Sequence, residues 1–273
     1  AGVAVIMETA AWLMEHPEIE HGSVRICFTC DEEIGHGVDH LDLGKIGATV
    51  CYTLDGQGAD LIENETFSAD MAEVTIRGVN IHPSIGKGRM TNAVRVAADF
   101  LARLPRDRLS PETTEGREGF VHPYEISGGV ESVRLHMILR DFETAKLAEQ
   151  AELLRRAAAE SMRDFPQAKI DITVHTQYRN MAEGLRSDPR AVALAEEALA
   201  RLGRQAALGA IRGGTDGSRL TELGLPTPNL SCGAHVPHSP LEWACLDEML
   251  LAVEWLVSLS ETWARNQPAI AQP

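Results

Sequence analysis

The residues of this chain that could do chemistry sit at a few sharp turns. Glu32 and Glu33 are adjacent, follow the apolar run Val24-Arg25-Ile26-Cys27-Phe28, and precede glycines at 35 and 37. Neighbouring carboxylates repel, so aiming both from the exit of a strand is costly unless a cation lies between them or one keeps a proton. Here the pair reads as a metal ligand beside a general base, whereas a bare Glu-Glu would be a solvated acidic turn. The design recurs twice. Ala48 to Leu54 forms a largely apolar run ending in Asp55-Gly56, and Pro228 to Gly233 reads as a strand leading to His235 and His238. Open α/β sheets bind ligands at the carboxyl ends of their strands. An oxygen-and-imidazole set suits zinc, with manganese or cobalt as alternatives.

These residues need a sheet and helices to hold them. The opening segment, Ala1 to Met14, is apolar nearly all round and rich in helix formers, which predicts a buried helix. A buried helix that starts at an alanine suggests a fragment whose upstream part is missing. After the two acidic strand ends the texture changes. Met71 to Arg77 reads as a strand, Met90 to Leu104 as a helix, and Tyr124 to Val130 and Glu131 to Arg140 as a strand pair. A helix from Phe142 to Asp164 and a strand from Lys169 to Thr176 complete a β-α-β-β-α-β unit, which is the ferredoxin-like sandwich. The expected organisation is α/β: a mixed sheet flanked by helices over residues 1–68 and 179–273, with an inserted α+β lid domain over 69–178.

Within the insert, Asn80-Ile81-His82-Pro83 leaves the first strand, and Asn92 lies at the start of the helix that follows. His82 taken alone would be a polar turn residue. The returning α/β part carries a helix from Pro189 to Leu202, a short strand to Ile211, and then Arg212-Gly213-Gly214-Thr215-Asp216-Gly217. Three glycines allow close backbone approach to something anionic, although the spacing matches no nucleotide motif. The final helix, Leu246 to Ala264, turns Leu250, Val253, Leu256 and Val257 inward and frays into a polar tail containing proline.

Composition narrows the function. With 273 residues and 44% hydrophobic content the chain can build a real core, and its formal net charge of −15 argues against nucleic-acid and anionic-membrane partners. Small substrates remain. Five scattered cysteines, Cys27, Cys30, Cys51, Cys232 and Cys245, make no disulfide framework in a chain of this size. A reducing, cytoplasmic setting fits, and no apolar run reaches the ~20 residues of a membrane span.

The order of motifs identifies a resemblance. Thr-x-Asp-Glu-Glu-x-Gly-x-Gly, Tyr-Thr-x-Asp-Gly, Asn-x-His-Pro, Pro-Glu-Thr-Thr-Glu-Gly-x-Glu-Gly-Phe, Ile-Leu-Arg-Asp-Phe and Ile-Arg-Gly-Gly-Thr-Asp-Gly occur here in sequence. Together they resemble the two-zinc aminoacylase and carboxypeptidase family of metallopeptidases. Pro111 to Phe120 and Arg212 to Gly217 point within it to the tripeptide aminopeptidases. The resemblance implies that Glu32 is the general base, that Glu33 and His238 hold one zinc, and that Asp55 holds the other. It further implies that His82 reaches the developing oxyanion, that Arg140 and Arg212 grip the peptide carboxylate, and that Asn92 is a further substrate contact. Lids of this family often mediate dimers, so a homodimer is expected.

Two departures temper it. The family's further histidine ligand and its metal-bridging aspartate have no counterpart in these residues, which implies weak binding of about one ion and undetectable peptidase activity for the chain as given. Gly233 to Trp243 is nearer the wider family's His-x-x-x-Glu pattern than the tripeptide enzymes' aromatic-rich version. A related amidohydrolase or dipeptidase acting on another acyl-amino acid, or a non-catalytic homologue without metals, therefore remain as alternatives.

Overall fold

The structure, a computed structural model, describes residues 1–266 of the chain. The proline-containing tail expected after the last helix lies outside the described residues. Contacts divide the chain into two compact units, one formed by Ala1–Thr66 with the chain from Met181 onward, the other by Phe67–Asn180.

The first unit contains α1 (Gly2–Glu15), α2 (Leu43–Ile46), β1 (Thr53–Gln57) and β2 (Leu61–Thr66) before the insertion. After it come α5 (Met181–Leu185), α6 (Arg190–Arg201), β7 (Ala207–Ile211), α7 (Asp216–Glu222), β8 (Asn229–His235), β9 (Trp243–Ala244) and α8 (Leu246–Arg265). The strands form one mixed sheet in the order β1-β8-β2-β7, with β9 added beside β8. β1 runs parallel to β8 and β2 parallel to β7, while β2 meets β8 antiparallel through Ile62↔Leu230 and Glu63↔Asn229. Ile62 and Leu230 pack against Ala195 and Leu199 of α6 and against Trp255 and Leu259 of α8. Burying side chains of this size contributes about 1.5–3 kcal/mol each. Arg204 donates to both oxygens of Asp60 and to the Leu251 carbonyl, which fastens the turn between β1 and β2 to α8.

Four local expectations change. Val24 to Phe28 is not a strand. It has no ladder partner among the described residues, and Val24, Ile26 and Phe28 are exposed. An apolar alternation becomes a strand only where a neighbour takes up its backbone hydrogen bonds. β1 begins at Thr53 rather than near Ala48, so Asp55 lies within the strand. β2 was not expected, because Leu61-Ile62-Glu63-Asn64-Glu65-Thr66 is half polar. The helices α1 and α8 are more one-sided than their composition suggests. α1 buries Val5, Thr9 and Leu13 but exposes Val3, Met7 and Met14. On α8 the buried stripe runs through Trp255, Leu259 and Thr262, spaced one turn apart, and Leu250 falls outside it and is exposed.

The inserted unit contains β3 (Ser68–Arg77), α3 (Ala93–Ala102), β4 (Phe120–Gly128), β5 (Ser132–Asp141), α4 (Thr144–Asp164) and β6 (Lys169–Tyr178). Its four strands are antiparallel in the order β4-β5-β3-β6, and this is the ferredoxin-like arrangement. Val74, Leu135 and Met137 of the sheet pack against Val96 and Phe100 of α3 and Leu154 of α4, all with 1% exposure or less. Alternation in β5, where Val133, Leu135, Met137 and Leu139 are buried, gives the sheet one helix-covered face. Across α3 and α4, Arg103 bonds Asp99, Glu160 and Asp164.

Candidate metal centre

Glu32 and Glu33 stand on a single 3₁₀ turn, Glu32–Ile34. Asp31 enters it and Gly35 leaves it in the left-handed region, at φ of 64° and 78°, and the Gly35 amide donates to the Glu32 carbonyl at 2.7 Å. A left-handed exit favours glycine because no Cβ meets the preceding carbonyl. This reversal presents both carboxylates from one short segment.

Glu33 meets His238. Their Oε2 and Nε2 atoms are 2.8 Å apart, both side chains largely exposed. The loop after β8 holds two histidines, and their partners separate them. His235 bonds Glu248 of α8 and stacks on Trp243, with ring centroids 4.1 Å apart. His238, at a left-handed φ of 60°, is the one that reaches Glu33.

Asp55 lies close enough to feel both members of that pair. Its carboxyl is pushed above the usual range chiefly by desolvation and then by Glu33, with His238 opposing. Its amide donates to Asn229 Oδ1 at 3.1 Å, and Asn229 Nδ2 donates in turn to Glu63 Oε2 at 2.6 Å. One buried asparagine thus links β1 to β2 beneath the acids. Glu63 is also raised, by desolvation first and with a contribution from Asp55. Glu32 is raised by desolvation, then by Asp55, Asp216 and Glu33, while a hydrogen bond with the Asp216 backbone works the other way. Acids crowded together and partly shielded from water hold their protons more tightly.

Asp216, only 6% exposed, is the acid that sequence reasoning passed over. It was read as part of a glycine-rich cradle, but its carboxylate accepts from Thr29 Oγ1 at 2.7 Å. A local signal existed: Thr215 caps α7 with a reciprocal bond from Ser218, which marks Asp216 as the first residue of a helix. Glu63 and Asn229 were also missed, and neither carries a motif.

The donors test the expectation of a metal. Among the described residues no group of three or more His, Cys, Asp or Glu side chains stands ready to hold an ion. Glu33 and His238 fit as a pair. Two donors about 2.1 Å from one tetrahedral zinc lie about 3.4 Å apart, so the 2.8 Å contact would open by about 0.6 Å to admit the ion. Asp55 supplies carboxylate oxygens beside them.

The remaining expected residues lie elsewhere in the chain. Arg212 is half-buried just after β7, ahead of Gly213 and Gly214. In the inserted unit, Asn92 caps α3, its Oδ1 accepting from the Val94 amide at 2.9 Å. His82 precedes a 3₁₀ turn, and its Nδ1 accepts from the Ser84 amide at 3.3 Å, which leaves the ring proton on Nε2. Arg140 donates through Nη1 to the Leu139 carbonyl and Gln177 Oε1 at 3.1 and 3.0 Å and lies over the Tyr178 ring. Burial chiefly lowers its pKa, and it makes no ion pair among the described residues.

The first unit is thus a mixed-sheet α/β fold with acidic side chains gathered at one turn, interrupted by a ferredoxin-like unit. Residues 64–166 match the family described as "Peptidase dimerisation domain". More particularly, the chain is 41% identical over 266 residues to peptidase T of Clostridium botulinum, covering 97% of this chain and 65% of that protein. The chain thus spans a little under two thirds of the length of the curated relatives it matches. The structure of aminopeptidase PepT from Bacillus cereus superposes with a TM-score of 0.81 at 24% identity, covering 96% of this chain and 70% of that one. The YXEP protein of Bacillus subtilis, described as a dinuclear metal binding peptidase from the M20 family, has a TM-score of 0.70 at 17% identity, covering 97% of this chain and 72% of its own. The likeness to peptidase T therefore extends along nearly the whole chain.

Proposed function

We propose that this chain provides the greater part of a zinc-dependent aminopeptidase that removes the amino-terminal residue from tripeptides. The observation that carries the reading is the contact of Glu33 with His238 beside Asp55 and Glu32, in a chain similar to peptidase T over 97% of its length. Zinc, when bound, lowers the pKa of a water toward ~7 and polarises a carbonyl. Glu33 and His238 would hold one ion and Asp55 the other.

Glu32 acts as the general base. Desolvation and neighbouring acids make its carboxylate a better proton acceptor than a solvated glutamate. His82, with its proton on Nε2, has the donor an oxyanion needs. Arg140 is a desolvated guanidinium that makes no carboxylate ion pair among the described residues, which suits the carboxylate of a peptide, and Arg212 is assigned the same ligand. Asn92 contributes by fixing the start of α3 near His82 in the sequence. The inserted unit, taken as residues 69–178, acts as the lid and joins two copies. The family described for residues 64–166 supports a homodimer, and β4 is an edge strand with Tyr124 and Ile126 exposed. Free cysteines fit a cytoplasmic setting.

The test is a cobalt titration of the purified chain with a peptidase assay on unblocked tripeptides, acetylated tripeptides and acetylated amino acids. Cobalt binding should be lost in Glu33→Ala and in His238→Ala but kept in Glu32→Gln. Any turnover should be confined to unblocked tripeptides and stopped by a chelator. Binding indifferent to both ligand substitutions, or turnover indifferent to the chelator, overturns the proposal, and preference for acetylated amino acids selects the amidohydrolase reading.

A further inference from the structure

We infer that Asp216 is a positioning residue that clamps the turn carrying Glu32 and Glu33 at both of its ends. Two contacts converge on its carboxylate. Its Oδ2 accepts from Thr29 Oγ1 at 2.7 Å, ahead of the glutamates. Beyond them, Gly37 packs so closely that a Cβ there would stand 2.2 Å from Oδ1 and 2.3 Å from Oδ2. Thr29 and Asp216 are 187 positions apart, so this is a tertiary fastening and not a local turn bond.

The turn needs such a fastening. Most residues from Cys30 to His36 are exposed, and the local bonds that close the turn are few: Gly35 to the Glu32 carbonyl, and Ile34 and His36 to the Asp31 carbonyl. Segments with little burial and solvent-facing bonds open readily. Asp216 is fixed by contrast. It begins α7 behind the Thr215–Ser218 capping box, and Gly217 beside it is packed against the Thr227 carbonyl, 2.7 Å from where a Cβ would be. Rigidity of α7 is passed through one buried carboxylate to an otherwise open turn. Gly37 is accounted for in the same way: it is not in a left-handed conformation, and any side chain would collide with the carboxylate.

The role of Glu32 rests on the reading proposed above, but the clamp does not, so the decisive readout is hydrogen exchange. In Thr29→Val, which removes one hydroxyl, and in Asp216→Asn, the amides of residues 29–37 should exchange about tenfold faster while α6 and α8 keep their protection. Thr29→Ser should restore protection. The double variant Thr29→Val/Asp216→Asn should be no faster than Asp216→Asn alone, because both act through one contact. Should Asp216→Asn fail to fold, Thr29→Val and Gly37→Ala carry the test. Unchanged exchange at 29–37 in Thr29→Val, or a rise spread evenly over the whole unit, overturns the inference. In protein that turns over tripeptides, Thr29→Val should lower kcat with little change in KM; cobalt binding indifferent to Glu33→Ala and His238→Ala refutes the functional reading and leaves the exchange result standing.

Discussion

Replacing Tyr52 by phenylalanine removes one oxygen atom that serves two partners. The hydroxyl donates to the Ala191 carbonyl at 2.8 Å and accepts from Trp263 Nε1 at 2.9 Å, which ties the approach to β1 to both α6 and α8. The variant leaves an indole N–H and a carbonyl without partners in a partly buried setting. An unsatisfied buried group costs about 1–3 kcal/mol, and part of that is recovered where water can reach, so the variant should lose about 2 kcal/mol. In a unit of this size that corresponds to a fall in Tm of about 4–8 °C. Urea unfolding and thermal melts measure it directly. Trp263→Phe combined with Tyr52→Phe should cost about 1 kcal/mol less than the sum of the singles, since both break the same bond. The pH dependence supplies a second check. Burial chiefly pushes the Tyr52 phenol above its ordinary range. The folded state therefore holds this proton more tightly than the unfolded one, a contribution complete below pH ~10 and lost as pH rises above it. The parent chain should lose stability above pH ~10 more steeply than Tyr52→Phe. A variant within about 0.5 kcal/mol of the parent, or strict additivity in the pair, would refute the assignment of these bonds to stability.

Glu32→Gln should leave zinc bound and lower turnover by about 10² to 10⁴, the worth of a positioned base; loss of metal in its place would exchange the roles of the glutamate pair. Arg140→Ala should raise KM for a free tripeptide and barely affect its amidated form, because only the carboxylate uses the guanidinium. Equal losses on both substrates would remove Arg140 from substrate binding.

What the sequence made legible was whatever had a local period or a local terminus. The inserted unit could be read because β3, β5 and α4 have clean alternation or helical spacing and because six elements in that order have one common solution. Glu32, Glu33, Asp55 and His238 were marked by apolar runs that end in acid, glycine or histidine. The misreadings share a cause. Val24 to Phe28 has a strand's composition but no neighbour to pair with, and β2, with glutamates at 63 and 65, pairs on both sides despite looking like a loop. Asp216 reads as part of a backbone cradle because its partners, Thr29 and Gly37, lie about two thirds of the chain's length away. Pairing and burial across such separations leave no trace in a window of neighbouring residues.

The insertion also sets an order of events during synthesis. Thr66 Oγ1 accepts from the Met181 amide, so the chain leaves the first unit and returns to it within one hydrogen bond. Everything between is self-contained and emerges from the ribosome as a finished unit while the first is still half made. β1 cannot find its parallel neighbour β8 until more than 170 further residues have been translated, and long loops that must close before pairing are slow to fold. Glu32, Glu33 and Asp55 therefore wait, while His238 and Asp216 arrive with the last quarter of the chain. A ribosome stalled between the end of the insert and that point would hold a folded insert beside an open sheet with its acids already exposed, so the acid cluster is assembled only after the insert has folded.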